Sequence, residues 1–378
     1  MHILKIDSRI DQIAQDNVIE PGTYYCEDTL AAQMMYLAGG GQMEPLREKR
    51  VPDFAGSGAQ LMWRNEPDTG DVNVCDSILI GRTGGLGDLT LLTPVLREIK
   101  RRWPAVKLAV ASIRELQQSI QNLPFIDELL QYPVSKETAD TYDGWIWLEN
   151  AIEKNEDAKT LHSVDCITKF IGLDLPEGTD KRQAYVVTEE ERNWVKFSYP
   201  RIPGYRRLCI QTNASGRCRT YPMPKTGQVI AAMLAKKWEV FLLGAPGEIK
   251  VPEPRPGLRI VSDDATFRQR AALIETADCV LAPDSSLTHI AGALEVPCVA
   301  LYGAFPWEVR TKYNPTTLPL TGVGFSCNPC FHHAHMNKHF PDNCPTKAKG
   351  YCGVLDAIAP EYIVKKIEEI ALGAEFKK

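Results

Sequence analysis

The 378-residue chain lacks several things, and each gap narrows what it can be. No window approaches the ~18 uninterrupted apolar residues that would span a bilayer. The opening stretch "MHILKIDSRIDQIAQDN" has scattered charges and no continuous apolar run, so no secretory leader is read there. A basic surplus is missing too: 43 Lys and Arg stand against 48 Asp and Glu, a net charge of −5, which disfavours nucleic acid as a partner. Internal repeats and low-complexity tracts are also absent, which removes repeat architectures. What remains is a cytoplasmic globular protein, long enough for two domains and an appendage.

From residue 77 the pattern alternates between strand and helix. Apolar runs at 77–81, 107–112, 127–132 and 143–149 are separated by helical periodicity, clearest over 88–103 and 114–122. A second series follows: strands at 207–213, 239–244, 258–262, 278–282 and 297–302, with helices over 225–236, 266–275 and 286–294. Such alternation predicts an α/β protein with parallel sheets covered by helices. The charged helix in "EEERNWVKFSYPRIPGYRR" runs into Pro-rich chain, which places a linker near 197–206. The expected domains are therefore 77–200 and 207–325, followed by an amphipathic helix over 360–374 with Ile363, Ile367, Ile370 and Ala371 on one side. Residues 1–76 look different. A helix over 28–38, stopped by three glycines, and Gly-, Pro- and Asp-rich chain suggest an extension wrapped on the main body.

The turn in "ILIGRTGGLGDLTLLTPVLREIKRRWP" joins the first strand of this series to its first helix. It is not a phosphate loop, because Asp88 and Leu89, rather than Lys and Ser or Thr, follow Gly87. Nor is it a dinucleotide fingerprint, which needs a third glycine; an acid there would also repel a pyrophosphate from the helix amides. Asp88 could simply cap the helix. A cap does not require Gly84, Gly85 and Gly87, which strip side chains from one side of the acid. The turn thus reads as a close backbone approach to a neutral partner, with a carboxylate presented to it.

Eleven cysteines are many for a reduced compartment. Seven are scattered (Cys26, Cys75, Cys166, Cys209, Cys218, Cys279 and Cys298), several within apolar strands where a free thiol acts as a small hydrophobe. The other four, Cys327, Cys330, Cys344 and Cys352, share one polar segment, 326–353. C-x-x-C followed by two further cysteines suits a tetrahedral structural ion, with zinc the default. Mixed ligation by His332, His333, His335 or His339 stays open, whereas a reducing cytoplasm disfavours disulfides.

The stretch "GGLGDLTLLTPVLREIKRRWP" resembles the start of glycosyltransferase family 9, the ADP-heptose:lipopolysaccharide heptosyltransferase family. The likeness runs over about 77–372, with weak sequence between its two specific ends. It implies a GT-B fold, two Rossmann-like domains facing a central cleft, and an inverting transfer from a nucleotide-diphosphosugar, with an ADP-sugar favoured. By that resemblance Asp88 is the base for the acceptor hydroxyl, beside Gly85 and Gly87. In "IQTNASGRCRTYPMP", Thr212 and Ser215 lie in a donor loop and Arg219 faces the leaving diphosphate; Tyr221-Pro222 replaces the family's Trp-Pro. "FLLGAPGE" places Gly244 and Glu248 at the nucleotide ribose. "ADCVLAPDSSLTHIAGALEVPCVALYGAFPWE" is the strongest match: Asp284, Ser285, Ser286 and His289 would hold the donor, with Tyr302, Gly303, Ala304 and Pro306 as a far wall.

The family's acceptor is a lipopolysaccharide glycan, which would bring peripheral contact with the inner membrane. The cysteine segment and the extension point instead to a protein acceptor, or to contacts in a homo-oligomer. Similar four-cysteine insertions occur in autotransporter heptosyltransferases of the family, where the ion is iron. A non-catalytic sugar-nucleotide binder, or a transferase acting on a nucleobase, is the competing reading.

Overall fold

The computed structural model describes residues 2–6, 10–11, 18–26, 34, 38, 41–45, 62–64, 72–74, 76–148, 151–153, 155–244, 255–261, 263–332 and 340–373. Two compact units result. One comprises Met1–Asp157 and Val164–Asp180, the other Ala158–Ser163 and Lys181–Lys378. The division falls at 180/181, upstream of the expected junction at 200–207. The reason is helix Glu189–Ser198, which is bound into the second unit. Its Glu191 receives the buried Arg268, and its Arg192 forks onto Glu275 at 2.7 and 2.8 Å.

In the first unit, four parallel strands stand in the order Glu128–Gln131, Lys107–Ser112, Ser77–Gly81, Gly144–Trp147. Ile78, Leu79 and Ile80 are all buried, as an apolar run in a sheet covered on both faces requires. Helix Leu86–Arg102 follows strand Ser77–Gly81 and buries Leu89, Leu92, Val95, Leu96 and Ile99. The helix expected over 114–122 is only Arg114–Gln117. There the Gln117 amide donates to the carbonyls of Ser112 and Leu130, tying the chain to the strand ends in place of further helical turns.

The described residues of the N-terminal extension include strands that its composition does not suggest. An antiparallel sheet runs Val134–Ser135, Gly22–Cys26, His2–Ile6, Gln42–Pro45. Leu4, Ile6, Ile10, Ile19, Cys26 and Met34 share a core with Leu79, Ala109, Ala111 and Trp145. The extension thus shields one face of the parallel sheet. The helix expected over 28–38 lies outside the described residues, apart from Met34 and Ala38.

The second unit holds six parallel strands in the order Leu258–Ile260, Trp238–Leu243, Arg206–Gln211, Cys279–Pro283, Cys298–Tyr302, Thr317–Thr321. Numbered by position in the chain this is 3-2-1-4-5-6, the doubly wound order of a Rossmann sheet. Alternate side chains divide cleanly. Leu208, Ile210, Val240, Leu242, Leu281 and Val299 pack with helices Met223–Ala235 and Pro360–Ala371. Cys209, Phe241, Leu243, Val280, Ala282 and Ala300 pack with Phe267–Glu275 and Ser286–Ala293. The sixth strand was not evident in the sequence because Pro319 interrupts it; it pairs on one side only, where a proline is tolerated. Among the described residues no helix is long and apolar enough to cross a membrane.

Candidate functional site

Ligands of open parallel sheets bind at the carboxyl ends of the strands, where the strand order reverses. In the first unit that point lies between Ser77–Gly81 and Gly144–Trp147, and the chain places Arg82 and Leu148 there. Gly84 takes a left-handed φ of +64°, which a side chain would resist, and its missing Cβ would lie 2.9 Å from Asp88 Oδ2. The bare turn anchors the acid: Asp88 Oδ2 accepts the Gly85 N–H at 2.7 Å. Helix formation starts at Leu86, two residues before Asp88. The acid therefore does fill a capping role, from inside the first turn. Its other oxygen lies 3.5 Å from Arg82 Nη2, and the side chain remains 28% exposed. The carboxylate is thus held at a strand end while still in contact with solvent, where a base for a hydroxyl would have to stand.

In the second unit the reversal lies between Arg206–Gln211 and Cys279–Pro283, and it gathers most of the expected donor residues. The loop after Gln211 turns through Arg217–Arg219. Arg219 Nη1 donates to the Asp284 carbonyl at 2.9 Å and Nη2 to Ser215 Oγ, with Asp284 Oδ2 at 3.8 Å from Nη1. Ser285 Oγ turns to Gln211 Oε1 and does not cap its own helix, Ser286–Ala293. The first amides of that helix are thus left to another acceptor. Thr212 Oγ1, Arg219 Nε and Asp284 Oδ2 are buried with no hydrogen-bond partner among the described residues. Buried polar atoms of this kind are costly unless something else satisfies them, so these three, on residues at one strand-end, make it the candidate polar binding site.

His289 lies one turn into the same helix and is buried. Gly244 closes strand Trp238–Leu243 and is half-buried, whereas Glu248 lies outside the described residues. Tyr302 is fully enclosed, with its hydroxyl 2.9 Å from Thr311 Oγ1; it belongs to the core rather than to a pocket wall. Ala304 likewise packs beneath the cysteine segment.

That segment has a hydrophobic seat, contrary to its polar composition. Phe340 clusters with Ala304, Phe305 and Cys218, and the Phe331 ring meets Phe305 edge-on with centroids 5.9 Å apart. Gly303 has no room for a side chain: a Cβ would stand 3.0 Å from Leu355 Cγ, 3.2 Å from Cys352 Sγ and 3.3 Å from the Cys218 carbonyl. Cys327, Cys330, Cys344 and Cys352 line one 290 Å³ cavity, which Cys218 also lines. Burial pushes the Cys330 and Cys352 thiols up, and neighbouring thiols push them the same way. Such thiols suit a soft ion in kind, yet no three His, Cys, Asp or Glu side chains among the described residues are arranged to hold one.

Cys218 is the residue that sequence reasoning missed. Burial raises its thiol to about 11, opposed by Arg219 and reinforced by Cys330 and Cys352. The available signal was its setting, "GRCR", which is no apolar strand. A second cavity of 360 Å³ is shared by the donor loop (Asn213, Ser215, Arg217, Thr220) and Tyr351 of the cysteine segment.

Comparison with known proteins fits this arrangement. Lipopolysaccharide heptosyltransferase 3 of Escherichia coli is 27% identical over 163 residues, 41% of this chain and 45% of that protein. The chain therefore matches less than half the length of that curated relative. E. coli ADP-heptose LPS heptosyltransferase II superposes with a TM-score of 0.62 at 14% identity, over 79% of this chain and 98% of the other. TibC of enterotoxigenic E. coli H10407, described as an iron-containing dodecameric glycosyltransferase, has a TM-score of 0.56 at 15% identity, over 98% of this chain and 90% of that one. A second TibC structure, in complex with ADP-D-β-D-heptose, has a TM-score of 0.58 at 12% identity, covering 99% and 92%. At these identities the superpositions speak for the fold, an α/β fold with parallel sheets like that of GT-B heptosyltransferases. The family model described as Glycosyltransferase family 9 (heptosyltransferase) matches residues 149–340, which take in the donor loop, Arg219, Asp284 and His289 but not Asp88. With about half its length matched, and with the polar strand-end of a 3-2-1-4-5-6 sheet inside that half, the chain belongs to glycosyltransferase family 9.

Proposed function

We propose that this protein is an inverting heptosyltransferase that moves heptose from ADP-heptose to a hydroxyl of a glycan or protein acceptor. One observation carries the reading: Thr212 Oγ1, Arg219 Nε and Asp284 Oδ2, buried with no hydrogen-bond partner among the described residues, belong to residues at the strand reversal inside the family-matched region. A nucleotide diphosphate offers the acceptors and hydroxyls that would satisfy them. Asp88 takes the proton as the acceptor oxygen bonds to the anomeric carbon. The bond from that carbon to the β-phosphate oxygen breaks on the opposite side, which inverts the centre. Arg219 neutralises the charge that develops on the departing ADP. Thr212, Ser215, Gly244, Glu248, Asp284, Ser285, Ser286 and His289 form the donor pocket, and Gly85 and Gly87 keep the approach to Asp88 clear.

The four thiols of 327–352 would hold one structural zinc or iron ion. Their shared cavity supports this, as does the iron described for TibC. The ion takes no part in transfer. The dodecamer described for TibC supports an oligomer here as well.

A thermal-shift series with ADP, UDP, GDP, CDP and ADP-heptose tests the reading. A nucleotide at about 100 times its dissociation constant adds roughly 2.7 kcal/mol of stability. Selective stabilisation by ADP and ADP-heptose is expected. A response to another nucleotide would replace the sugar, and silence throughout would overturn the donor site.

A further inference from the structure

The geometry points to Arg82 as a positioning residue for the Asp88 carboxylate, restrained in turn by Glu153. This rests on the reading of Asp88 as the base. Arg82 ends the strand Ser77–Gly81 and is only 1% exposed, so its charge must be met by protein groups. Its fork is fully directed. Nη1 donates to the Leu148 carbonyl at 2.8 Å and to Glu153 Oε2 at 3.0 Å; Nη2 donates to Glu153 Oε1 at 2.7 Å. The same Nη2 faces Asp88 Oδ1 at 3.5 Å.

The two distances differ in kind. The 2.7 Å contact is a charge-assisted hydrogen bond, whereas 3.5 Å is too long for a good one. Arg82 thus attracts and orients Asp88 without occupying the lone pair that must accept a proton. Glu153 is what holds the guanidinium off. The Gly85 amide holds Oδ2 and the guanidinium draws on Oδ1 from 3.5 Å, so both contacts act on the orientation of the carboxylate. A carboxylate misplaced by about 1 Å would lose on the order of 10²-fold in rate.

Two readouts on the full chain test this. The first is the Gly85 amide in a ¹H–¹⁵N spectrum, which reports its bond to Asp88 Oδ2 and needs no substrate. Arg82→Gln is expected to move that signal toward its position in Asp88→Asn, and Arg82→Lys to return it. The second is ADP release from ADP-heptose in single-turnover mixtures with water as the accepting hydroxyl. Arg82→Gln should slow release at least ~10-fold with half-saturation changed less than ~2-fold, and Glu153→Gln should slow it as well. Combining Arg82→Gln with Asp88→Asn should be no slower than Asp88→Asn alone, since one residue acts through the other. If Arg82→Gln fails to fold, Arg82→Gln with Glu153→Gln removes both charges of the buried pair and carries the same test.

An unmoved Gly85 amide in Arg82→Gln overturns the inference, as does a multiplicative loss in the double variant. Parent-like release by Asp88→Asn would instead sink the base assignment, and the Gly85 amide would still report on positioning.

Discussion

Removing the carboxylate of Glu239 should cost the second unit about 3–5 kcal/mol, because it strands a buried cation. Glu239 has no exposed surface and Arg207 only 1%. Arg207 Nε donates to Glu239 Oε1 at 2.8 Å, Nη1 to Thr276 Oγ1 at 2.6 Å and Nη2 to the Tyr199 carbonyl at 2.8 Å. In Glu239→Leu the neutral partners remain, but the guanidinium loses the carboxylate paired with it, and it lies 4.8 Å from the Phe241 ring centroid in a packed core. Combining Glu239→Leu with Arg207→Met removes both charges and keeps the volume, so most of the loss should vanish. For a unit of this size each kcal/mol moves Tm by roughly 2–4 °C, so the single change should lower Tm by roughly 6–20 °C and the pair by under about 5 °C. Calorimetry would read this on the transition of the second unit, since two units need not melt in one step. A single-variant loss below about 1 kcal/mol, or equal losses for single and double, would refute the reasoning. The loop after Gln211 hangs from one of the two strands this pair joins, so on the proposed function nucleotide affinity should fall with the single variant and recover with the double.

Three further outcomes are expected. Gly303→Ala should destabilise by about 1–3 kcal/mol and raise the rate at which a thiol reagent reaches Cys352, because a Cβ crowds Leu355 and Cys352 against the rigid Cys218 carbonyl. Glu98 is buried and its carboxyl is held below the ordinary glutamate value of 4.5, first by the Arg101 hydrogen bond and also by that of Arg102. Its contribution is therefore complete above about pH 4.5 and fades as pH falls through the lowered value, so urea unfolding of Glu98→Gln should depend less steeply on pH in that range. Elemental analysis should find about one zinc or iron per chain, reduced well below half in Cys344→Ser with Cys352→Ser; full metal content in that variant would dismiss the thiol site.

How much of this was legible in the sequence depended on local pattern. Strands such as Lys107–Ser112 and Trp238–Leu243 announce themselves because a buried parallel strand is apolar throughout. Helix Pro360–Ala371 shows its buried face in Ile363, Ile367 and Ile370. The antiparallel extension was hidden, since its strands are five residues or shorter and one partner, Val134–Ser135, lies more than a hundred residues away. At the site, the glycine turn before Asp88 and the acid just ahead of a helix, Asp284, were visible in "GGLGD" and "APDSS". The contacts that aim them were not. Arg82 reads as an ordinary strand-end cation until Leu148 and Glu153, 66 and 71 residues on, are brought to its fork. Cys218 is equally silent until Phe340 and the segment around Cys352 settle beside it.

The brief excursion of Ala158–Ser163 has a bearing on protein engineering. The backbone enters the second unit after residue 157, leaves after 163 and returns after 180. During the visit His162 Nε2 lies 3.0 Å from the Arg310 carbonyl and its ring meets Tyr313 edge-on, while Ser163 Oγ donates to the Val309 carbonyl at 3.1 Å. The second unit is therefore not a cassette that one cut can lift out. A fragment beginning at Lys181 would leave an uncovered seat at Val309–Tyr313, and a chimera built with a single crossover at that point would insert a foreign hexapeptide into it. Grafting the second unit onto another partner domain calls for transplanting two pieces of chain, the hexapeptide and everything from residue 181 onward.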